Sequence, residues 1–424
     1  MLRHSFILLL AVLPLSLFAR AHSLLPPDSM ETKDDYPVIL HQRLDSLLQD
    51  EWLQQSQLGL YVYDLTSDTV LYASGHRQYL RPASCQKVIT AVAAINALGG
   101  DYRLSTSLYL QPSDSTVSIR AGFDPLFGAD DMRAFAHAIR TAGITAIRRP
   151  IIIDRSLKDT LQAGWGWCWD DDNPSLSALL YNGKDTFCHH FLRLLADEGI
   201  ATDSITFAYA TIPEALTPVV IRSHTLQQVL IPMLKESDNQ MAEAIFYHLA
   251  AHCRHPYAGR REATHAISSF LARTCPSEQR YQVADGSGLS LYNYTTPAIL
   301  VATLRQAWQN PEIYGALLPA LPVMGKDGTL RKRCRHSSAQ GRVWAKTGTV
   351  DGVSTLSGYA LAPNGHHLAF SIMNQGLLRT REGRAFQDKV CIALTTRLHT
   401  SDIDPDMLPD AAANDGEDAA DEEE

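Results

Sequence analysis

The chain has 424 residues, 45% hydrophobic and 20% charged, with 37 Lys+Arg against 46 Asp+Glu and a formal net charge of −9. This is ordinary globular composition, long enough for more than one folding unit, and it excludes a collagenous, coiled-coil or wholly disordered chain. Eleven of the acids and no Lys or Arg fall in residues 401–424, leaving the stretch 22–400 balanced at thirty-five bases and thirty-five acids, so no basic excess argues for a nucleic-acid partner.

Residues 1–21 read as a secretory signal peptide. Arg3 and His4 form a basic start, Phe6 to Phe18 is almost wholly apolar, and Ala19-Arg20-Ala21 supplies a cleavage site. The apolar run is shorter than the ~20 residues a spanning helix needs, and no later segment is apolar enough to span. The expected mature protein is exported, periplasmic and soluble, with no transmembrane anchor. Seven cysteines (85, 168, 188, 253, 275, 334, 391) lie in that exported part. Their odd number leaves at least one thiol unpaired within the chain, and without CxxC spacing they point neither to zinc nor to a particular pairing.

Residues 37–55 carry Ile39, Leu44, Leu47, Leu48 and Leu53 at roughly helical spacing. Strands are expected over 58–64 and 69–72, joined by the turn Thr66-Ser67-Asp68, and again over 342–350, 353–361 and 367–374, with a helix over 379–398. Strands at both ends suggest one sheet built from both termini. Val88 to Leu98 reads as a buried helix stopping at Gly99-Gly100, and Thr225 to Cys253 as two helices broken near Lys235-Glu236-Ser237. Between them, 104–222 mixes short strands (108–110, 150–154) with helices near 131–142 and 186–198, and reads as an inserted domain. The acid-rich stretch 401–424 is expected to be a disordered tail.

Three short motifs stand in order: Ser84-Cys85-Gln86-Lys87, Ser237-Asp238-Asn239 and Lys346-Thr347-Gly348. Ser84 at a helix start puts Lys87 one turn on, its amine facing the hydroxyl. A serine is a poor nucleophile until a base takes its proton, and a buried lysine near another positive charge, such as Lys346, can be that base. Each motif also fits a plainer role. Ser84 suits a helix N-cap after Pro82, Ser237-Asp238-Asn239 a loop cap before the helix from Gln240, and Lys346 to Thr349 an edge strand ending at a turn.

Together the three match the S-x-x-K, S-D-N and K-T-G set of serine penicillin-recognising enzymes. The sequence resembles the D-alanyl-D-alanine carboxypeptidase/endopeptidase family of low-molecular-mass class C penicillin-binding proteins, from about residue 38 to 398. Further family-like blocks are Arg81 to Ser84, Leu98 to Arg103, Ala242-Glu243, Asp285 to Ser290, Leu321-Pro322-Val323, Asp327 to Leu330 and Ser357-Gly358-Tyr359. In the insertion, Ile153 to Ser156 and Gly164-Trp165-Gly166-Trp167 also fit, and Gly122-Phe123-Asp124-Pro125 stands where the family more often has G-D-P.

The resemblance implies an α+β fold: a penicillin-binding/β-lactamase-like transpeptidase domain (22–103 and 223–398), an antiparallel sheet flanked by helices, with one inserted smaller α/β domain (104–222), shortened relative to large members. It implies a serine DD-peptidase cleaving D-Ala-D-Ala bonds, and also D-Ala–diamino-acid cross-links, of peptidoglycan stem peptides. Ser84 attacks, Lys87 takes its proton and Ser237 passes a proton to the leaving amine. The amides of Ser84 and Thr349 form an oxyanion hole, Asn239 holds the substrate amide, and Lys346, Thr347 and Thr349 hold the terminal carboxylate. No cofactor or metal is required, and β-lactam antibiotics are expected as covalent inhibitors. Asp170, Asp171 and Asp172 fall near where the family reads a diamino-acid side chain, and a polar surface loop fits them equally. His248 and His252, four apart, lack the Glu and third ligand of a zinc motif. A β-lactamase and a catalytically inactive peptidoglycan-binding module stand as alternatives.

Overall fold

Tyr36, Ile39, Leu40 and Leu44 put one buried stripe on helix α1 (Tyr36–Leu47). The computed structural model describes residues 36–397 except 112, 114, 171, 172, 203, 204, 253–256, 278 and 279. The expected signal peptide and acidic tail, Cys253, Asp171 and Asp172 lie outside the described residues. The helical spacing expected to continue to Leu53 is instead divided: α1 stops at Leu47, and Leu53 buries from a separate 3-10 turn, Glu51–Gln55.

Strands from both ends of the chain form a single five-stranded antiparallel sheet. β1 (Gln57–Asp64) and β2 (Thr69–Ser74) join β8 (Val343–Val350), β9 (Val353–Leu361) and β10 (His367–Gln375) in the order β2-β1-β10-β9-β8. β1 pairs with β10, Leu60 opposite Ile372, so the two termini are stitched across the middle of the sheet. Both β9 and β10 are buried along nearly their whole length, which requires cover on both faces. On one face, α1 and α10 (Thr380–Thr395) bury Leu40, Leu44, Phe386 and Val390 against Leu356 and Phe370. On the other, Tyr359, Ala369 and Met373 meet the helical layer.

The centre of that layer is α2 (Gln86–Leu98), buried from Gln86 to Ile95. A helix apolar on every side has to sit inside other helices. Its neighbours are α5 (Leu226–Lys235), α6 (Asn239–His252), α7 (Arg260–Thr274), α8 (Pro297–Trp308) and α9 (Pro311–Ala320). The last three were not anticipated, although α8 and α9 carry a cap-plus-proline start: Thr296 accepts from Ile299 N ahead of Pro297, and Asn310 accepts from Glu312 N ahead of Pro311.

A second sheet, β6-β5-β4-β3-β7, is built from β3 (Arg103–Gln111), β4 (Thr116–Arg120), β5 (Ile151–Asp154), β6 (Phe207–Tyr209) and β7 (Val220–Thr225). β4, β5 and β6 run parallel, while β3 is antiparallel to β4 and β7. α3 (Ala129–Thr141) and α4 (Phe187–Asp197) close a separate core around Phe127, Phe135, Phe187 and Phe191.

Candidate active site

The first motif lies on a bend. Residues Ala83–Cys85 make a 3-10 turn that runs into α2, and Ala83 takes φ +45°. Neither the turn nor α2 has a side-chain cap, so the Ser84 hydroxyl is not used as a helix cap. It accepts a hydrogen bond from Lys87 Nζ at 2.9 Å. Opposite the bend sits Gly288 at φ +82°, where a Cβ would collide with the Ala83 carbonyl oxygen. Glycine is required there twice, for its backbone conformation and for the contact.

Lys87 is completely buried. Its ammonium has three protons and three acceptors: Ser84 Oγ, Asn239 Oδ1 at 2.7 Å and the Ser287 carbonyl at 2.8 Å. Burial pushes its pKa down to about 8, against the pull of the nearby carboxyl groups of Asp285, Glu243 and Asp238. The amine is thus held in place, shielded from water and within reach of losing its proton near neutral pH.

The second motif forms the break between α5 and α6. Asp238 takes the capping task, its Oδ1 accepting from Met241 N at 3.0 Å. Asn239 is free to bind Lys87. Ser237 occupies a left-handed conformation, φ +65°, a cost of order 1–3 kcal/mol for a non-glycine residue. Its hydroxyl has no hydrogen-bond partner among the described residues. The loop is steadied by Lys235, which pairs with Asp327 at 2.7 Å.

Lys346 lies on β8, the sheet's edge strand. Its side chain is fully buried and donates to the Thr347 carbonyl at 2.8 Å. Burial, and then the charge of Lys87, push it down to about 7. Gly348 lets this strand press against the bend that carries Ser84, since a Cβ would stand 2.9 Å from Ser84 N and 2.8 Å from the Pro82 carbonyl oxygen. The same contact is clamped from the other side. The Cys85 thiol, fully buried, donates to the Lys346 carbonyl at 3.1 Å, and Thr355 on β9 donates to the Pro82 carbonyl at 2.8 Å. Burial raises the thiol's pKa, so this cysteine is a packing group rather than a reactive one.

Two buried acids, Glu243 and Asp285, lie beneath the site. Glu243, on an otherwise apolar stretch of α6, accepts from the amides of Gly286 and Ser287 at 3.1 and 2.9 Å. Burial, with the Asp285 charge adding to it, pushes its pKa up to about 8. Asp285 accepts from Gly288 N, Ser290 N, Asn293 Nδ2 and Trp167 Nε1 at 2.6–2.9 Å. These bonds shape the 285–290 loop so that the Ser287 carbonyl faces Lys87. Trp167, from the stretch between β5 and β6, therefore braces this loop. An acid among Ala242, Ala244, Ile245 and Phe246 was the signal available in the sequence.

The structure thus joins Ser84, Lys87 and Asn239 by direct hydrogen bonds and sets Lys346 close enough to repel Lys87. It does not join Ser237 to any of them. Thr347 donates to Thr329 at 2.8 Å, and Thr349 lies one residue past the Gly348 contact. Both threonines line a cavity of about 600 Å³. Asp170 is exposed. His248 is buried with both ring nitrogens engaged, by Tyr102 at 3.0 Å and the Gly122 carbonyl at 2.9 Å, and burial pushes its pKa down to about 4.

A serine paired with a buried lysine on a helix, facing an edge strand that carries a second buried lysine, defines a penicillin-recognising serine peptidase. The chain belongs to the D-Ala-D-Ala carboxypeptidase 3 (S13) family, whose model matches residues 40–183 and 175–397. Its class is that of a serine-type D-alanyl-D-alanine carboxypeptidase, a peptidoglycan DD-peptidase. Among similar proteins, a D-alanyl-D-alanine carboxypeptidase of Actinomadura sp. (strain R39) is 25% identical, over 80% of this chain and 81% of that one. Penicillin binding protein 4 of Haemophilus influenzae shares the fold with TM-score 0.73 at 21% identity, over 83% of this chain and 98% of that one. A penicillin G-acylated predatory endopeptidase of Bdellovibrio bacteriovorus matches with TM-score 0.55 at 16% identity, over 79% and 91%.

Proposed function

We propose that this chain is an exported DD-peptidase that cleaves the D-Ala-D-Ala bond of peptidoglycan stem peptides, and the D-Ala–diamino-acid bond of cross-links, through an acyl-enzyme on Ser84. One observation carries the reading: the buried Lys87 amine 2.9 Å from the Ser84 hydroxyl. Neutral Lys87 takes the Ser84 proton as the hydroxyl oxygen bonds to the scissile carbonyl carbon. The Ser84 and Thr349 amides hold the oxyanion, a role supported by the close approach at Gly348. Asn239, whose Oδ1 is occupied by Lys87, uses its Nδ2 for the substrate amide. Ser237 relays a proton to the leaving amine, which departs as the ester forms. Water then attacks the ester and returns Ser84.

The two lysines share the first proton loss near neutrality, so their titrations belong to the pair. Asp285, Glu243 and Asp238 favour charge on Lys87, whereas among the described residues no carboxylate raises the pKa of Lys346. A substrate carboxylate at Thr347 and Thr349 favours charge on Lys346, leaving Lys87 the neutral member. Binding thus arms the base. The insertion (104–222) is read as a brace and the rest of 22–398 as the catalytic domain. Export rests on the apolar run and Ala19-Arg20-Ala21. β-Lactams acylate Ser84 on this reading.

The test is release of D-alanine from a stem pentapeptide by the protein and by its Ser84→Ala variant. Loss of release by about 10³-fold or more is expected, and undiminished release by the variant contradicts the mechanism.

A further inference from the structure

The cavity beside β8 contains charge that this reaction does not use. Thr347 and Thr349 line one side, and Lys332, Arg381 and Arg384 line another. Asp388 is the only carboxylate among the lining residues, and it is taken by Arg333 at 2.8 Å. Lys332 and Arg381 are exposed and have no carboxylate partner among the described residues, and Arg384 donates to the Thr380 hydroxyl at 3.0 Å. Three cations around one chamber repel one another and favour an anion between them.

Size points the same way. About 600 Å³ is the room a drug-sized ligand occupies. A departing D-alanine, with its single carboxylate already held by Thr347 and Thr349, leaves most of the chamber empty and the cations unmatched.

We infer that Lys332, Arg381 and Arg384 form an anion subsite for the leaving group, selecting leaving groups that carry a second carboxylate. In a peptidoglycan this describes the neighbouring stem of a cross-link, with its own terminal carboxylate, better than free D-alanine. The inference rests on the proposed role of Thr347 and Thr349 and adds the side of the bond on which selectivity is exercised.

Three acyl dipeptide substrates test it, ending in D-Ala-D-Ala, D-Ala-D-Glu and D-Ala-D-Gln and assayed with the full chain. The D-Glu substrate is expected to exceed the neutral D-Gln substrate in kcat/KM by about fivefold at low ionic strength, a few exposed charge contacts together, and to lose that margin in salt. Lys332→Ala with Arg381→Ala should bring the ratio near one while leaving D-Ala-D-Ala cleavage within about twofold. Arg381→Glu should instead favour a D-Lys leaving group. Cleavage of D-Ala-D-Ala with no D-Glu preference in the unaltered protein, or a ratio the double variant leaves unchanged, overturns the subsite and spares the peptidase reading. Failure to cleave any of the three overturns both.

Discussion

The Cys85 thiol donates to the Lys346 carbonyl at 3.1 Å, so the residue next to Ser84 holds the strand of the second lysine. Ser84 and β8 are thereby fixed to each other by a side chain that touches no substrate. Cys85→Ser, which keeps a donor of similar size, should retain activity within about threefold. Cys85→Val removes the donor from a buried site and should cost about 1–3 kcal/mol of stability, with kcat reduced more than KM is raised. Steady-state kinetics and thermal denaturation of both variants decide this; equal behaviour of the two would show that the hydrogen bond is idle. Iodoacetamide should leave activity intact, because the thiol is buried and its pKa is raised.

Activity should have an acid limb set by the lysine pair. Below pH ~7 both amines are protonated, Ser84 has no base, and kcat/KM should fall about tenfold per pH unit. The sign follows from lowered pKa values: burial brings Lys87 to about 8 and Lys346 to about 7, so the neutral form is already available near neutrality. A profile of kcat/KM from pH 5 to 9 is the measurement, and a flat line between 5 and 8 contradicts the lysine base.

Gly288→Ala should damage stability and activity together. The new methyl meets the Ala83 carbonyl oxygen while demanding φ +82° of a residue with a side chain. Backbone conformation alone costs ~1–3 kcal/mol, and relief of the collision displaces the bend that carries Ser84. An alanine variant of Gly99, where φ is also positive but nothing lies within 4 Å of a Cβ, controls for conformation. It should lose stability and keep kcat. Equal kcat losses in both would mean that the contact with Ala83 is unimportant.

Glu243 should make stability pH-dependent. Its carboxyl has a folded pKa raised from 4.5 to about 8, so its favourable contribution is complete below ~4.5 and is lost as pH rises through ~8. Glu243→Gln keeps an oxygen for the Gly286 and Ser287 amides and cannot ionise. The Tm of the variant minus that of the unaltered protein should therefore climb by a few degrees between pH 5 and 8. A difference independent of pH would mean that the acid is already ionised in the fold.

What could be read from the sequence is what short spacing decides. Three residues of helix bring Lys87 to Ser84, and the turn residues Gly352 and Pro363-Asn364-Gly365 separate β8, β9 and β10. The first motif outlasts its plainer explanation, since Ser84 does not cap α2, whereas the second keeps its own and adds to it: Asp238 caps α6 while Asn239 binds Lys87. What escaped depends on residues far apart in the chain. The Ser287 carbonyl that completes the lysine's coordination, the Cys85–Lys346 bond and the Trp167–Asp285 brace are set by tertiary packing, with no periodic trace. α7 escaped for a different reason. Its Arg260–Thr274 segment is polar enough that only Ala263, Ile267, Phe270 and Leu271 mark the buried face.

The central claim is a covalent bond to Ser84, and intact mass spectrometry after exposure to benzylpenicillin tests it directly. The account predicts one penicilloyl adduct per chain, mapped by peptide digestion to the segment containing Ser84 and absent from Ser84→Ala. An adduct elsewhere, or none at any time while D-alanine is still released from a pentapeptide, would contradict it.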